Sequence, residues 1–543
     1  MTAKTLMIQG TASSAGKSLL VTALCRLFRR KGIMVAPFKA QNMSLNAFIT
    51  REGHEMGRAQ AVQAEAAGIA PSCFMNPVLL KPAEDHVCQL IVNGRARAVM
   101  SARQYYAFRR TLRSEVTRAF TSLAKEYELI IIEGAGSPAE INLRENDLAN
   151  MGMAEMANAP VLLVGDIDRG GVFASLYGTV MLLDADEQRR IRGFVVNKFR
   201  GDLSILEPGL RRLETLLGMP VLGVLPYRRF HIDEEDSLTE RLDILPAPPS
   251  QNDRPAASAM LDIAVIRLPR LSNFTDFAVF DTLPQVRLRY ADSPATLGKP
   301  DLVIIPGTKN TPEDMRFLEQ SALAAAIRAL HARGVPLIGI CGGFQMLGKA
   351  IHDPLGVEGS RKTIRGLGLL HMETVFSQHK RTAQAGITVC ANKGIMLGTK
   401  GMRLSGYEIH MGQSFRSGDR FRPNADGNNA CPEQPAFAGF SPLGHTAQGE
   451  AEGAINDEGT LIGTYLHGIF DNPEFTLAML NNIRRNKGLA IPDDVTPEYT
   501  AFRLNEYDDL ADMVERHLDI PALERIIETW SYTELLSKRL PPF

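Results

Sequence analysis

Short, almost wholly aliphatic runs punctuate the first half of this chain, and each is followed by a stretch with apolar residues at helical spacing. The runs are Thr5–Gln9, Met34–Phe38, Leu129–Glu133, Val161–Gly165, Gly193–Asn197 and Val221–Leu225. Strands alternating with helices in this way predict βαβ units and a parallel, doubly wound sheet. From Pro246 to Ala259 the text changes to PAPPSQNDRPAASA, which reads as a linker. A second α/β pattern follows, with strands expected at Ile263–Arg267, Leu302–Pro306, Leu337–Ile340, Tyr407–Met411 and Leu461–Tyr465. Between Arg416 and Gly453 aliphatic residues are few and Gly, Pro and Asn are many, so a mobile surface loop is expected there. After Pro492 the pattern turns helical, with Leu510, Met513, Val514, His517 and Leu518 on one face. The expected organisation is an α/β chain of two doubly wound parallel-sheet domains, 1–245 and 261–490, joined by a linker over 246–260 and closed by a short helical extension over 491–543.

In such folds ligands bind at the carboxyl ends of strands, and the polar motifs of the first half lie there. Thr5–Gln9 leads into GTASSAGKS, a phosphate-binding loop with one residue more than the usual spacing between its first glycine and Gly-Lys. Gly10, Thr11 and Gly16 allow close backbone approach, so that N–H groups and the following helix N-terminus cradle an anion. Lys17 is expected to reach the terminal phosphates of ATP and Ser18 to ligate Mg²⁺. Glu133 ends its strand before Gly-Ala-Gly and is placed to hold the same metal or its water. Lys39, Gln41 and Asn42 follow the strand Met34–Phe38, and Asp166, Asp168 and Arg169 follow Val161–Gly165. The acids suit a metal or a substrate ammonium, and Arg169 suits a carboxylate or phosphate. Asn197 at the next strand end fits either a contact to a nucleotide base edge or a turn.

The second half carries a different chemistry. Val335 to Ile340 runs into Gly-Ile-Cys341-Gly-Gly and then into a helix-like segment, the strand–turn–helix layout of a nucleophile elbow. A cysteine there needs a base, and His467 stands at the end of the apolar run Gly459–Leu466. Alone, either residue would read as a buried thiol or a capping imidazole; the elbow favours a nucleophile–base pair. Gly307, at the end of Leu302–Pro306, and Gly342 are placed to turn their N–H groups toward an oxyanion.

Composition narrows the field. The 543 residues suffice for two or three domains, and the formal net charge of −1 marks no nucleic-acid or acidic-membrane partner. No apolar run reaches the length of a membrane span, and the N-terminal one leads into the phosphate loop rather than forming a signal peptide. The six cysteines have no CxxC spacing, which argues against structural zinc and disulfides and fits a reducing cytoplasm. Oligomerisation is left open.

Several motifs together resemble a known family. PGTKNT (Pro306 to Thr311), GICGGFQMLG and YLHGIF resemble the class I glutamine amidotransferase domain in its cobyrinate/cobyric acid branch. GTASSAGKS, KAQNMSLN, MNPVLLKP, EGAGSPAEINL, GDIDRGG and VNKFRGD resemble the dethiobiotin-synthetase-like amidoligase half of the same proteins. KAQNMSLN, EINL and GDIDRGGVFASLYGT point to the cobyric acid synthase family of cobalamin biosynthesis rather than to its cousin that amidates groups a and c. The resemblance implies that ATP activates a corrinoid carboxylate as an acyl phosphate, that Cys341 releases ammonia from glutamine, and that ammonia forms the amide. It implies this at groups b, d, e and g of (adenosyl)cobyrinic acid a,c-diamide. It implies no permanently bound cofactor. Most class I amidotransferases carry His-x-Glu, whereas Ile469 stands here in the third position, so the group that orients His467 stays open. Two alternatives remain beside this reading: an a,c-diamide synthase or related amidoligase, and a P-loop ATPase switch with an inert glutaminase-like domain.

Overall fold

The computed structural model describes residues 3–84, 87–233, 260–283, 285–359, 362–417, 422–423, 429–430, 440–492 and 499–531. The expected linker lies outside these residues except for Met260, and so does much of the loop expected between Arg416 and Gly453. Among the described residues no helix is long and apolar enough to cross a membrane.

The first sheet has six strands in the order Val221–Pro226, Ile191–Phe199, Val161–Asp166, Lys4–Gly10, Leu129–Glu133, Val35–Phe38, and all its pairings are parallel. The aliphatic runs form its strands because helices cover both faces, so a strand such as Leu129–Glu133 is buried along its whole length. Parallel pairing sets Glu133 opposite Ile8 at the same sheet edge, and the phosphate loop begins two residues later. The second sheet also has six strands, in the order Val286–Ala291, Leu261–Ile266, Leu302–Ile305, Leu337–Ile340, Leu461–Thr464, Ala454–Ile455. Its first five strands run parallel and the last is antiparallel.

Each half also carries a sheet that the sequence pattern did not announce. In the first half Gln41–Met43, Val78–Glu84, Val87–Val92 and Arg95–Ser101 form a four-stranded sheet, and Ala47–Ile49 pairs with Glu55–Gly57 in a hairpin. In the second half the long strands Met372–Val389 and Arg403–Arg416 pair antiparallel. Tyr407–Met411, expected in the parallel core, therefore lies in this separate sheet. Its sequence alternates apolar Tyr407, Ile409 and Met411 with polar Glu408 and His410, a pattern weaker than that of a doubly buried aliphatic strand.

The two C-terminal helices, Tyr499–His517 and Ile520–Thr529, pack mainly on the first half, while Tyr499 and Phe502 at their start join the core of the second. Leu510, Val514, Leu518 and Leu523 join Leu20, Leu24 and Leu27 of the helix Lys17–Arg30 in one apolar cluster. Arg26 grips Asp508 at 2.7 and 2.8 Å along the edge of that contact. At Gly223 the strand backbone meets this layer so closely that an added Cβ would lie 2.2 Å from the His517 carbonyl oxygen.

Truncating a buried leucine here removes packing from the nucleotide half. Leu510→Ala should cost about 2–4 kcal/mol. The measurement is the denaturant midpoint of the transition that also releases bound nucleotide. An unchanged midpoint would show that these helices are not part of that core.

Candidate active site

The elbow is present. Cys341 follows the strand Leu337–Ile340 and precedes the helix Gly342–Leu347, with φ 51° and ψ −108°. A non-glycine residue at positive φ is strained, and here the strain is held by packing on both sides. A Cβ on Gly343 would lie 2.0 Å from the Ile305 carbonyl oxygen, and one on Gly339 2.7 Å from the Gly343 oxygen, so both flanking glycines are required by close approach. The Cys341 N–H donates to the Thr464 carbonyl at 2.8 Å, and its thiol donates to the Ile409 carbonyl at 3.4 Å.

His467 lines the same pocket as Cys341. It follows Leu461–Thr464 and is only 1 % exposed. Its Nδ1 lies 2.7 Å from Asp276 Oδ2, and the Gly468 N–H donates to Asp276 Oδ1 at 3.1 Å. Asp276 sits in the 3-10 helix Phe274–Thr282, 191 residues upstream of the imidazole. This is the orienting carboxylate that Ile469 could not be. Ile469 itself is packed into the apolar core at 2 % exposure. Tyr407 stacks on the imidazole with ring centroids 5.1 Å apart and planes within 14°. The backbones of Tyr407 and His467 also exchange hydrogen bonds at 2.9 and 3.1 Å.

These contacts decide the protonation chemistry. Burial alone would lower the imidazole, but the Asp276 carboxylate outweighs it and raises His467 to about 10. The imidazolium is therefore favoured at neutral pH. Its Nε2 is buried without a hydrogen-bond partner among the described residues. An imidazole and a cysteine that share one pocket are placed to exchange a proton.

Gly307 lies against the imidazole: a Cβ there would be 3.1 Å from His467 Cε1, and its carbonyl accepts from the Ser272 N–H. A Cβ on Gly342 would be 3.1 Å from the Thr308 amide nitrogen. The two loops expected to supply oxyanion donors are thus adjacent, with Thr308 nearer to Gly342. The pocket also holds Lys309 and Lys380 of the second half and Lys81 of the first. Burial lowers the Lys309 ammonium below its usual range and brings Lys380 down to about 8. Lys81 and Lys380 both grip the buried carboxylate of Glu55. Burial would raise Glu55, but its two lysines dominate and hold it at about 2. None of these groups was singled out from the sequence.

The second candidate site is the phosphate loop. Gly16 takes φ 96° at the start of the helix Lys17–Arg30, and a Cβ on Gly10 would meet Lys17 Cδ at 3.1 Å. Lys17 Nζ bonds the carbonyls of Ala12, Ser13 and Gly136 at 2.8–3.1 Å, curled over its own loop. Ser18 Oγ donates to Glu133 Oε1 at 2.8 Å. Glu133 also takes Lys39 Nζ at 2.9 Å and Gln63 Nε2 at 2.6 Å. Burial would raise this carboxyl, and Lys39 with the three hydrogen bonds lowers it. A hydroxyl and an ionised carboxylate side by side at a helix N-terminus form a hard oxygen donor set that fits Mg²⁺.

The remaining expected residues are engaged elsewhere. Asn197 Nδ2 donates to the Ala15 carbonyl at 2.9 Å, so this amide braces the loop. Gln41 accepts from the Tyr105 hydroxyl, and Asn42 donates to Gln60 Oε1 at 2.9 Å. Asp166 pairs with Lys198 at 2.9 Å and accepts from the Asp168 N–H, and Asp168 pairs with Arg200 at 3.1 Å. Arg169 is exposed, 3.9 Å from Asp166. These acids neutralise neighbouring cations, and no metal-holding group of three His, Cys, Asp or Glu residues occurs among the described residues.

Comparison with known proteins agrees with this division. A CobQ/CobB/MinD/ParA nucleotide-binding domain matches residues 6–237, and a CobB/CobQ-like glutamine amidotransferase domain matches residues 262–475. A cobyric acid synthase of Yersinia enterocolitica is 47 % identical over 524 residues, covering 96 % of this chain and 98 % of that one. One from Caldanaerobacter subterraneus is 47 % identical over 528 residues, covering 97 % and 99 %. Another, from Lachnoclostridium phytofermentans, is 47 % identical over 530 residues, again covering 97 % and 99 %.

Asp276 gives the sharpest test of this geometry. Asp276→Asn keeps the shape but removes the charge that raises His467. Glutaminase turnover should fall by about 10²–10⁴. Alkylation of Cys341 by iodoacetamide should lose its enhancement at neutral pH. The sign of the stability effect follows from the raised imidazole. Its contribution is complete below its ordinary value of 6.5 and is lost as pH rises toward about 10. Stability should therefore fall across that window in the native protein and less so in Asp276→Asn. Identical alkylation profiles in the two proteins would remove Asp276 from the triad. Ile469→Ala should cause only a packing loss.

Proposed function

We propose a mechanism from one premise: the chain belongs to the cobyric acid synthase family. It is a glutamine-hydrolysing ligase that performs glutamine-dependent amidation in cobyric acid synthesis, and its nucleotide-binding half uses ATP.

The corrinoid substrate is (adenosyl)cobyrinic acid a,c-diamide, amidated at its b, d, e and g carboxylates. The Cys341 thiolate attacks the side-chain amide carbon of glutamine, and the loop amides around Gly307, Thr308 and Gly342 stabilise the oxyanion. His467 Nε2 passes its proton to the departing nitrogen as ammonia leaves, so a thioester forms. Water then cleaves the thioester, releasing glutamate and restoring the cysteine. In the other half a substrate carboxylate oxygen attacks the terminal phosphorus of ATP, giving an acyl phosphate and ADP. Ammonia displaces phosphate from that acyl group and leaves the carboxamide. Gly10, Thr11, Gly16 and Lys17 hold the phosphates, and Asn197 braces their loop. Ser18 and Glu133 would hold Mg²⁺, which neutralises charge on the transferring phosphoryl group.

The observation that carries this reading is the strained Cys341, sharing a pocket with a histidine held by a buried carboxylate. A partitioning-type switch would have no use for either. The thiols Cys25, Cys73, Cys88, Cys341 and Cys390 are free, which supports a reducing, cytoplasmic setting.

The test is modular. Purified protein with ATP, Mg²⁺, glutamine and the a,c-diamide should give four successive amidations by mass spectrometry. Cys341→Ala should lose synthesis from glutamine and keep synthesis from ammonia. Lys17→Ala should lose both, by a hundredfold or more, since such charge stabilisation is often worth ~3 kcal/mol. A Cys341→Ala protein that folds but is dead with both nitrogen sources would sink the assignment of roles. Two amidations in place of four would point to the diamide-forming cousin.

A further inference from the structure

The glutaminase triad is not built by its own domain alone. The 3-10 helix that carries Asp276 begins at Phe274, whose N–H is one of the donors a helix start leaves without an internal partner. Its own N-terminal neighbour, Asn273, has φ 53° and does not cap it. The cap comes from the other half of the chain: the Phe274 N–H donates to Asn46 Oδ1 at 3.2 Å. The contact is reciprocal, because the Ala47 N–H donates to Asn273 Oδ1 at 3.1 Å. Asn46 is completely buried and Asn273 nearly so, which shields both bonds from competing water.

The same short segment touches the triad from the other side. Ala47 and Ile49 pack with Tyr407 and Ile409 in one apolar cluster. Tyr407 is the ring stacked on His467, and its hydroxyl reaches the Ala47 carbonyl at 3.4 Å. Ile409 supplies the carbonyl that receives the Cys341 thiol. Behind the segment, the Ser44 N–H is bonded to the Leu80 carbonyl at 3.1 Å, and Lys39 to Glu133 beside the phosphate loop. The segment is therefore fixed in the nucleotide half before it reaches Asp276.

We propose that Asn46, a residue of the amidoligase half, is a positioning residue for the glutaminase reaction. It holds the N-terminal turn of the helix that aims Asp276 at His467. This rests on the Cys341–His467 reading above. Its consequence is that the thiol is activated only where a folded amidoligase half stands ready to consume the ammonia.

The experiment compares Asn46→Ala and Asn46→Asp with the native protein, reading two quantities. The first is the ratio of glutamine-dependent to ammonia-dependent synthesis. The second is the pH profile of Cys341 alkylation. With the cap lost, the ratio should fall about tenfold to a hundredfold, through kcat and not through the KM for glutamine. Alkylation at neutral pH should fall with it. Asn46→Asp keeps the accepting oxygen and should recover to within about threefold of the native ratio. If Asn46→Ala does not fold, Asn46→Ser, too short to reach Phe274, reads the same two quantities. An unchanged ratio and profile would overturn the proposal. So would an equal loss with both nitrogen sources, which would place Asn46 in the amidation step instead. A native protein whose Cys341 shows no enhanced alkylation at neutral pH would instead count against the catalytic reading itself.

Discussion

The contact between Asp276 and His467 is the constraint on which the second half is built. A base that must carry a positive charge stands where water cannot reach it, and burial there opposes the charge. Only a carboxylate at hydrogen-bond distance, 2.7 Å, makes the imidazolium the stable form. Breaking such a buried pair by removing one partner costs about 3–5 kcal/mol, so the surroundings must keep both partners in place. They do so from three directions. The Gly468 N–H holds the second carboxylate oxygen. Tyr407 covers the ring face, and the antiparallel strand Arg403–Arg416 bonds the His467 backbone. The elbow strand then needs only to bring Cys341 into the same pocket.

What could be read from the sequence was what is local. A strand of aliphatics followed by a glycine-rich loop and a helix has one structural meaning, so the phosphate loop, the elbow and both parallel sheets were legible. Cys341, His467, Lys17, Ser18 and Glu133 all carried such a local frame. Asp276 had none. It sits among Phe274, Phe277 and Phe280 in a short 3-10 turn, and its partner is distant in the chain. The position where a carboxylate was to be expected holds Ile469, which serves the core. Asp166, Asp168 and Arg169 show what a local pattern leaves out. Polar residues at strand ends look like open ligand groups, but the charges that gather there from adjacent strands, here Lys198 and Arg200, pair with one another. The C-terminal helices show a third limit. An amphipathic pattern states that one face is buried and says nothing about what buries it, and here the helix Lys17–Arg30 does so.

The resting contacts of the nucleotide half have the character of place-holders. Lys17 is satisfied by loop carbonyls, and Glu133 by Ser18, Lys39 and Gln63. The Lys17 contacts join an ammonium to neutral carbonyls, and a phosphate there would supply the opposite charge. The loop is therefore preformed, with its cation and its carboxylate already in place.

The chain itself leads from this site toward the other. From Lys39 it passes through a short strand and reaches Asn46, the cap of the helix bearing Asp276. Ammonia is mostly ammonium at neutral pH and is then no nucleophile, so its value to the amidoligase depends on being made beside its acceptor. A fusion of two domains by a linker would place the sites in one molecule without tying one to the other. Buried hydrogen bonds between the halves, and the Lys81–Glu55–Lys380 cluster across the same boundary, tie them physically. An ion cluster buried between halves contributes little net stability, because desolvation offsets the attraction. Its geometric demand is strict, however: Glu55 and Lys81 belong to one half, Lys380 to the other, and any separation leaves an unpaired charge in the dark. The boundary is thus cheap to keep closed and costly to open by a small amount, which suits two reactions that share a short-lived intermediate.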